Sequence, residues 1–377
     1  MLKEKVMKRI IFLTFLFFLM SFVPKTMAAK DFIIGADISA LTVMEQRGIV
    51  YRDNNQPADL ITILKNNGFN TIRLRLFLNP KSRDIVTNDL PYTLELAKRA
   101  KAQNMKLLLN FHYSDTWADP QQQTKPTAWS NLNFDDLKEA VQSYTLSVMG
   151  KFKDANLTPE MVQVGNEITP GMLWPDGKVS AEDDNELQWE KFASLLNAGI
   201  EGVKAVSPDS KIMIHIDQGG KKSVSQWFFG HLNKYDVKYD IVGLSYYPWW
   251  HGTIDDLKEN LNYIASDLKK DVVVVEAAYA HKKDKWFDNP GTPFPTLPVD
   301  QLPFPLTPQG QYDMLHLIAK TVLDTRDNRG IGVCYWFPES VPVNNRGWLG
   351  GSAALFDESG NALPAIHAFS DAAKSIK

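Results

Sequence analysis

Eight short apolar runs recur along the chain, and the stretches between them carry apolar residues at helical spacing. The runs are Phe32–Ile38, Thr71–Phe77, Lys106–His112, Met161–Glu167, Lys211–Ile216, Ile241–Tyr247, Val272–Ala278 and Ile331–Phe337. Between them, patterns such as Leu60-Ile61-Ile63-Leu64 and Leu94-Ala97-Ala100 put apolar groups on one face of a helix. Strands that are apolar at consecutive positions, not alternate ones, belong to parallel sheets covered on both faces. Eight such units predict an α/β protein built as a closed (β/α)8 TIM barrel, a single catalytic domain over residues 29–377. An open doubly wound sheet is the alternative, but its glycine-rich dinucleotide turn is missing.

Polar residues interrupt these runs, mostly at their carboxyl ends. Arg73 and Arg75 break the second run, Asn110 and His112 close the third, and Asn166-Glu167 close the fourth. His215 and Asp217 end the fifth, Tyr246-Tyr247 the sixth, Glu276 the Val272–Val275 stretch of the seventh, and Trp336 the eighth. A charge inside an apolar strand costs several kcal/mol unless it is paired. Seven strands ending this way on one face are better explained by a polar pocket than by seven separate packing accidents.

Alternate residues of a strand share a face, so Arg73 pairs with Arg75 and Asn110 with His112. If those faces line the barrel, they converge with Glu167 and Glu276. Two carboxyls about 5 Å apart suit retaining glycoside hydrolysis, and roughly 6.5–9.5 Å suits inversion. An acid/base needs a raised pKa, and a nucleophile needs donors that hold its charge. Arg75 and a tyrosine of the sixth strand are the donors expected beside Glu276, and Asn166 is placed to meet a sugar 2-hydroxyl. His112 is expected to orient and not to carry a proton.

Tryptophans supply the other half of the picture. Trp117, Trp129, Trp174, Trp249, Trp250, Trp286 and Trp348 lie in segments following strand ends, beside Asp115, Asp119 and Asn166. Such rings stack on pyranose faces, and their concentration there predicts a groove for several sugars, although any one of them equally fills a core. The irregular, proline-rich stretch from His281 to Pro308 follows the seventh strand and is expected on the same functional face.

Composition narrows the classes. A net charge of -3 argues against a nucleic-acid partner. The single cysteine, Cys334, rules out an intramolecular disulfide, and its place in a strand predicts a buried small hydrophobe. Neither His112 nor His215 has neighbours at metal-ligand spacing, so no metal site and no required cofactor are expected. No Gly-x-Ser-x-Gly elbow, phosphate loop or Cys-x-x-Cys pair is present. Lys3, Lys5, Lys8 and Arg9 precede the apolar Ile10–Val23 and a Thr26-Met27-Ala28 site, the order of a secretory signal over residues 1–28. That run is shorter than the ~20 residues of a membrane span. The expectation is an exported protein, periplasmic or extracellular, with no membrane association after cleavage.

The motifs also carry a family resemblance. Asn110-Phe-His-Tyr-Ser-Asp-Thr-Trp-Ala-Asp-Pro120, continued to Trp129, is the most specific block. Gly35–Ser39, Arg73-Leu-Arg75, Gln163–Thr169, Gly171–Pro175, Ser245–Gly252, Val275–Tyr279 and Tyr335–Pro338 support it in order. Together they resemble family 53 glycoside hydrolases, the endo-β-1,4-galactanases (arabinogalactan endo-β-1,4-galactosidases). The resemblance implies Glu167 as acid/base and Glu276 as nucleophile. It also implies endo-acting cleavage of the β-1,4-galactan (type I arabinogalactan) side chains of pectin. The residues expected around that chain are Arg75, His112, Asp115, Trp117, Asn166, Tyr246, Tyr247, Trp249 and Trp336, and a monomer is expected. Two positions depart from the pattern: Asn110 stands where Asp is more usual, and Ala280-His-Lys-Lys-Asp284 replaces a Tyr-Pro-Trp continuation. Some bacterial relatives hold a structural calcium near this loop, for which Asp284, Asp288 and Asn289 offer oxygens. A barrel cutting another β-1,4-glycan such as mannan, and a non-catalytic glycan-binding barrel, are the alternatives.

Overall fold

A computed structural model describes residues 32–81, 84–288, 297–342 and 348–375. The expected export signal, Asn289 and the side chain of Trp348 lie outside the described residues. Eight parallel strands close on themselves: β1 Ile33–Asp37, β2 Thr71–Leu76, β3 Lys106–Phe111, β4 Met161–Val164, β5 Lys211–Ile216, β6 Ile241–Tyr246, β7 Asp271–Ala277 and β8 Gly330–Trp336. Each pairs with its sequence neighbours, and β1 pairs with both β2 and β8, which closes the ring. The sheet has no free edge.

Helices return from each strand: α1 Leu60–Asn66, α2 Leu90–Ala102, α3 Phe134–Asp154, α4 Glu186–Val206, α5 Lys222–Lys234, α6 Ile254–Ser266, α7 Pro308–Leu323 and α8 Ala368–Lys374. Their starts are written in the sequence. Asp59, Asp89, Asn133, Asn185 and Thr307 each accept a first-turn N–H, and Thr253 forms a reciprocal capping box with Asp256. In α3 the buried Val141, Thr145, Val148 and Phe152 recur at four- and three-residue steps, so one stripe faces the barrel. Among the described residues, no helix is long and apolar enough to cross a membrane.

The predicted strands agree with the observed ones to within a few residues, with one informative exception. The fourth run was expected to continue to Glu167 but ends at Val164. Gly165 takes φ +85° and Glu167 φ +46°, so the chain leaves the extended region before the glutamate. A non-glycine residue in that region costs of order 1–3 kcal/mol and persists only where its surroundings fix it.

Candidate active site

The barrel interior is filled in layers. Leu108, Met161, Met213, Ile241, Val273 and Val275 belong to an inner apolar cluster, separate from the shell between strands and helices. Strand alternation then carries polar groups to the same axis one layer higher: Asn110 above Leu108, Gln163 above Met161, His215 above Met213. On β7 the alternation breaks. Leu244 of β6 pairs with Val274, but Ser245 pairs with Glu276, so Val275 is the extra residue of a bulge. Val273 and Val275 both face the axis, and the bulge turns Glu276 to that side as well.

Arg73 is the hub of this layer. Its guanidinium reaches Asp37 at 2.9 Å, Glu276 at 2.8 Å, Asn166 Oδ1 at 2.9 Å and Gln163 Oε1 at 3.1 Å. All five groups are buried or nearly so. A buried arginine with this many acceptors offsets its desolvation through charge-assisted bonds. Tyr247 donates to the other oxygen of Glu276 at 2.9 Å. Burial pushes the Glu276 carboxyl up, and Arg73 and the Tyr247 hydroxyl oppose that push.

Glu167 is buried too, but its charged neighbours are acidic. Burial drives its pKa well above the usual carboxylate range, and Glu276 and Asp217 push it the same way. Ser245 donates to its Oε1 at 2.7 Å. Burial raises both carboxyls, Glu167 the further, and of the two Glu276 is the one with a cation, Arg73, opposing the push.

Both glutamates line a cavity of about 1010 Å³ at the carboxyl ends of the strands. Its wall includes His112, Trp117, Asn166, Tyr247, Trp250 and Trp336. His112 Nδ1 accepts the Ala118 N–H at 3.1 Å, and burial, then Arg73 and Arg75, hold its pKa well below the usual histidine value. It stays neutral with its proton on Nε2, which suits the orienting role. Asn110 Nδ2 lies 3.3 Å from that nitrogen and donates to Asn166 Oδ1 at 2.9 Å. Trp117 lies 6.3 Å from Trp336, its ring tilted by 61°.

Several expectations need correction. Arg75 is not the donor to Glu276. It lies 3.9 Å from Asp37, donates to the Ile85 carbonyl and places its guanidinium 4.4 Å from the Trp117 ring, while Arg73, one alternation step deeper, does the pairing. Tyr246 is fully buried and donates to the Gly252 carbonyl, on the face of β6 away from the cavity. Trp249 is also fully buried, packed among Tyr247, Trp286 and Phe287, and its neighbour Trp250 faces the cavity instead. Asp115 ties loops together, accepting N–H bonds from Asn79 and Thr127. Arg75, His112, Trp117, Asn166, Tyr247 and Trp336 do line the cavity. Asp37, Arg73, Gln163 and Ser245 were missed as site residues. The signal was present for Arg73, a charge inside a strand, and absent for Ser245.

The stretch after β7 reaches the cavity through Lys282, Asp284 and Lys285. The two described candidate calcium donors are engaged apart, Asp284 with the Trp286 N–H and Asp288 with Lys283. Among the described residues, no three His, Cys, Asp or Glu side chains gather as a metal ion requires.

Comparison with known proteins agrees with the resemblance. The glycosyl hydrolase family 53 profile matches residues 33–369. An uncharacterized protein of Niallia circulans is 41% identical, over 90% of this chain and 93% of its own. The arabinogalactan endo-beta-1,4-galactanase of Thermothelomyces thermophilus is 33% identical, over 89% of this chain and 98% of its own. Among solved structures, the GH53 catalytic domain of Ignisphaera aggregans superposes with a TM-score of 0.80 at 33% identity, covering 90% of this chain and 95% of that one. With the profile spanning the whole barrel and relatives of this identity over most of both chains, the protein belongs to glycosyl hydrolase family 53.

Proposed function

We propose that this protein is an exported, retaining endo-β-1,4-galactanase acting on the galactan chains of pectin. The observation that carries the chemistry is the pair Glu167 and Glu276 in one cavity, with Arg73 beside Glu276 and acidic neighbours beside Glu167. Glu276, held by Arg73 and Tyr247, attacks the anomeric carbon as Glu167 gives its proton to the departing oxygen. Glu167 then takes a proton from the water that releases the sugar. Asn166, oriented by Arg73 and Ala118, presents its amide beside the reacting ring. Trp336 and Trp117 supply stacking faces.

The substrate class rests on the relatives, whose names specify β-1,4-galactan. Export rests on the basic, apolar and small-residue order of residues 3–28. The reading takes the protein as a monomer. Incubating the purified protein with lupin or potato galactan and with mannan tests the reading. Galacto-oligosaccharides that first appear as the β-anomer support it. Mannan products without galactan products, or initial α-anomers, contradict it.

A further inference from the structure

Behind Glu167 runs a line of buried polar groups that the reaction scheme above leaves unused. Arg73 donates to Gln163 Oε1 through Nε at 3.2 Å and Nη2 at 3.1 Å, which fixes the amide with its nitrogen turned the other way. That nitrogen lies 2.9 Å from His215 Nδ1, and the Glu167 backbone N–H points at the same ring atom from 3.4 Å. Two donors face Nδ1, so it has no proton of its own and the ring carries its hydrogen on Nε2. Nε2 lies 2.9 Å from Ser245 Oγ, which in turn lies 2.7 Å from Glu167 Oε1. With its lone pair engaged by His215, the serine has one hydrogen to give, and it goes to Glu167.

We propose that His215 and Ser245 are positioning residues that assign the two oxygens of Glu167, holding Oε1 as a permanent acceptor so that the catalytic proton rides on Oε2. The inference rests on Glu167 being the acid/base. It gives Arg73 a link to each carboxylate: a direct contact with Glu276 and a one-way hydrogen-bond chain to Glu167. A glutamic acid free to carry its proton on either oxygen would be productive only part of the time. The chain removes that ambiguity without placing a positive charge beside the acid, because every link to it is neutral. His215 stays so, since burial and then Arg73 hold its pKa well below the usual value.

The test is the alkaline limb of the kcat/KM profile, which follows the acid form of Glu167. The titratable groups facing Glu167 are Glu276 on β7, Tyr247 after β6, Asp217 after β5 and Asp119 after β3. The substitutions leave all four in place. A hydrogen bond from Ser245 favours the carboxylate, so Ser245→Ala moves the limb to higher pH, by about one unit. His215→Leu moves it the same way by less, and His215→Gln, whose amide again donates to Ser245, restores it. Ser245→Ala also lowers kcat/KM about tenfold or more on galactan but spares an aryl galactobioside with a dinitrophenol leaving group, which departs without an acid. A limb unmoved by Ser245→Ala, or an equal loss on both substrates, overturns the proposal. If His215→Leu does not fold, as judged by its melting curve, the Ser245 comparison decides alone. Glu167→Gln separates the two levels: equal loss on both substrates there means that Glu167 is not the acid. Sparing of the aryl substrate in Glu167→Gln but not in Ser245→Ala rejects only the relay.

Discussion

Val275 and Glu276 are adjacent in β7, yet both face the barrel axis. Val275 packs in the inner apolar cluster with Val273, and Glu276 pairs with Arg73 one layer above. The bulge between them breaks strict alternation at the residue where chemistry is expected, and it adds no residue from another element. Truncation at Val275 therefore reaches beyond packing. Val275→Ala is expected to lower stability by about 2 kcal/mol through the cavity it leaves, and to lower kcat more than KM as Glu276 loses its aim. Melting curves and steady-state kinetics on galactan check both halves.

Arg73 and Arg75 make contrasting predictions. Arg73→Lys keeps a charge but not the fork that spans Asp37, Gln163, Asn166 and Glu276. It should cost about a hundredfold in kcat/KM. Arg73 opposes the upward push of burial on Glu276, so weakening it raises that pKa. The reaction needs Glu276 ionised, and the acid limb of the profile accordingly moves to higher pH. Arg75→Lys, which loses stacking on Trp117, should leave the acid limb in place and raise KM.

Trp249 and Trp336 separate core from groove. Trp249 is fully buried among aromatic neighbours, so Trp249→Ala should cost about 3–5 kcal/mol of stability. Trp336→Ala should leave the melting temperature nearly unchanged and weaken galactan binding, read as a raised KM. A large KM effect at a preserved melting temperature for Trp249→Ala would reverse the assignment.

Glu339 predicts how stability varies with pH. Its side chain is buried, with Oε1 accepting the Ala40 N–H at 3.0 Å, and burial pushes its pKa up to about 8. In the unfolded chain it titrates near 4.3. The folded state thus binds the extra proton between those values. The contribution is fully present below the unfolded pKa and is lost as pH rises through the folded one. Glu339→Gln, a neutral mimic of the protonated acid, should flatten the fall in melting temperature between about pH 5 and pH 8. Parallel pH dependence in the two proteins would exclude Glu339 as its source.

The barrel was legible because consecutive apolar residues and helix-spaced apolar faces are local signals: the Val272–Val275 run and the Leu60-Ile61-Ile63-Leu64 pattern need no tertiary context. Glu167 and Glu276 stood out as a pair because a glutamate after an apolar run has few cheap explanations, and both line the same cavity. What stayed hidden depends on register. Alternation counted from Val273 turns Glu276 outward, and only the pairing of Ser245 with Glu276 shows the bulge that turns it in. Arg73 and Arg75 share a face and chain direction sets Arg73 the deeper, but which layer Glu276 occupies depends on the register of β7, which the sequence pattern does not give. Trp249 and Trp250 are neighbours of one type, and the packing of Trp286 and Phe287 over Trp249 selects the other for the cavity.

The most direct test of the account is to trap the reaction half-way. A galactobioside with fluorine at C2 of the reacting sugar and a good leaving group at C1 should slow both steps and let the glycosyl-enzyme accumulate. Peptide mass spectrometry is expected to find one added glycosyl group, on the peptide carrying Glu276, and none in Glu276→Gln. A label on Glu167 or another side chain, or full turnover by Glu276→Gln, would contradict the assignment.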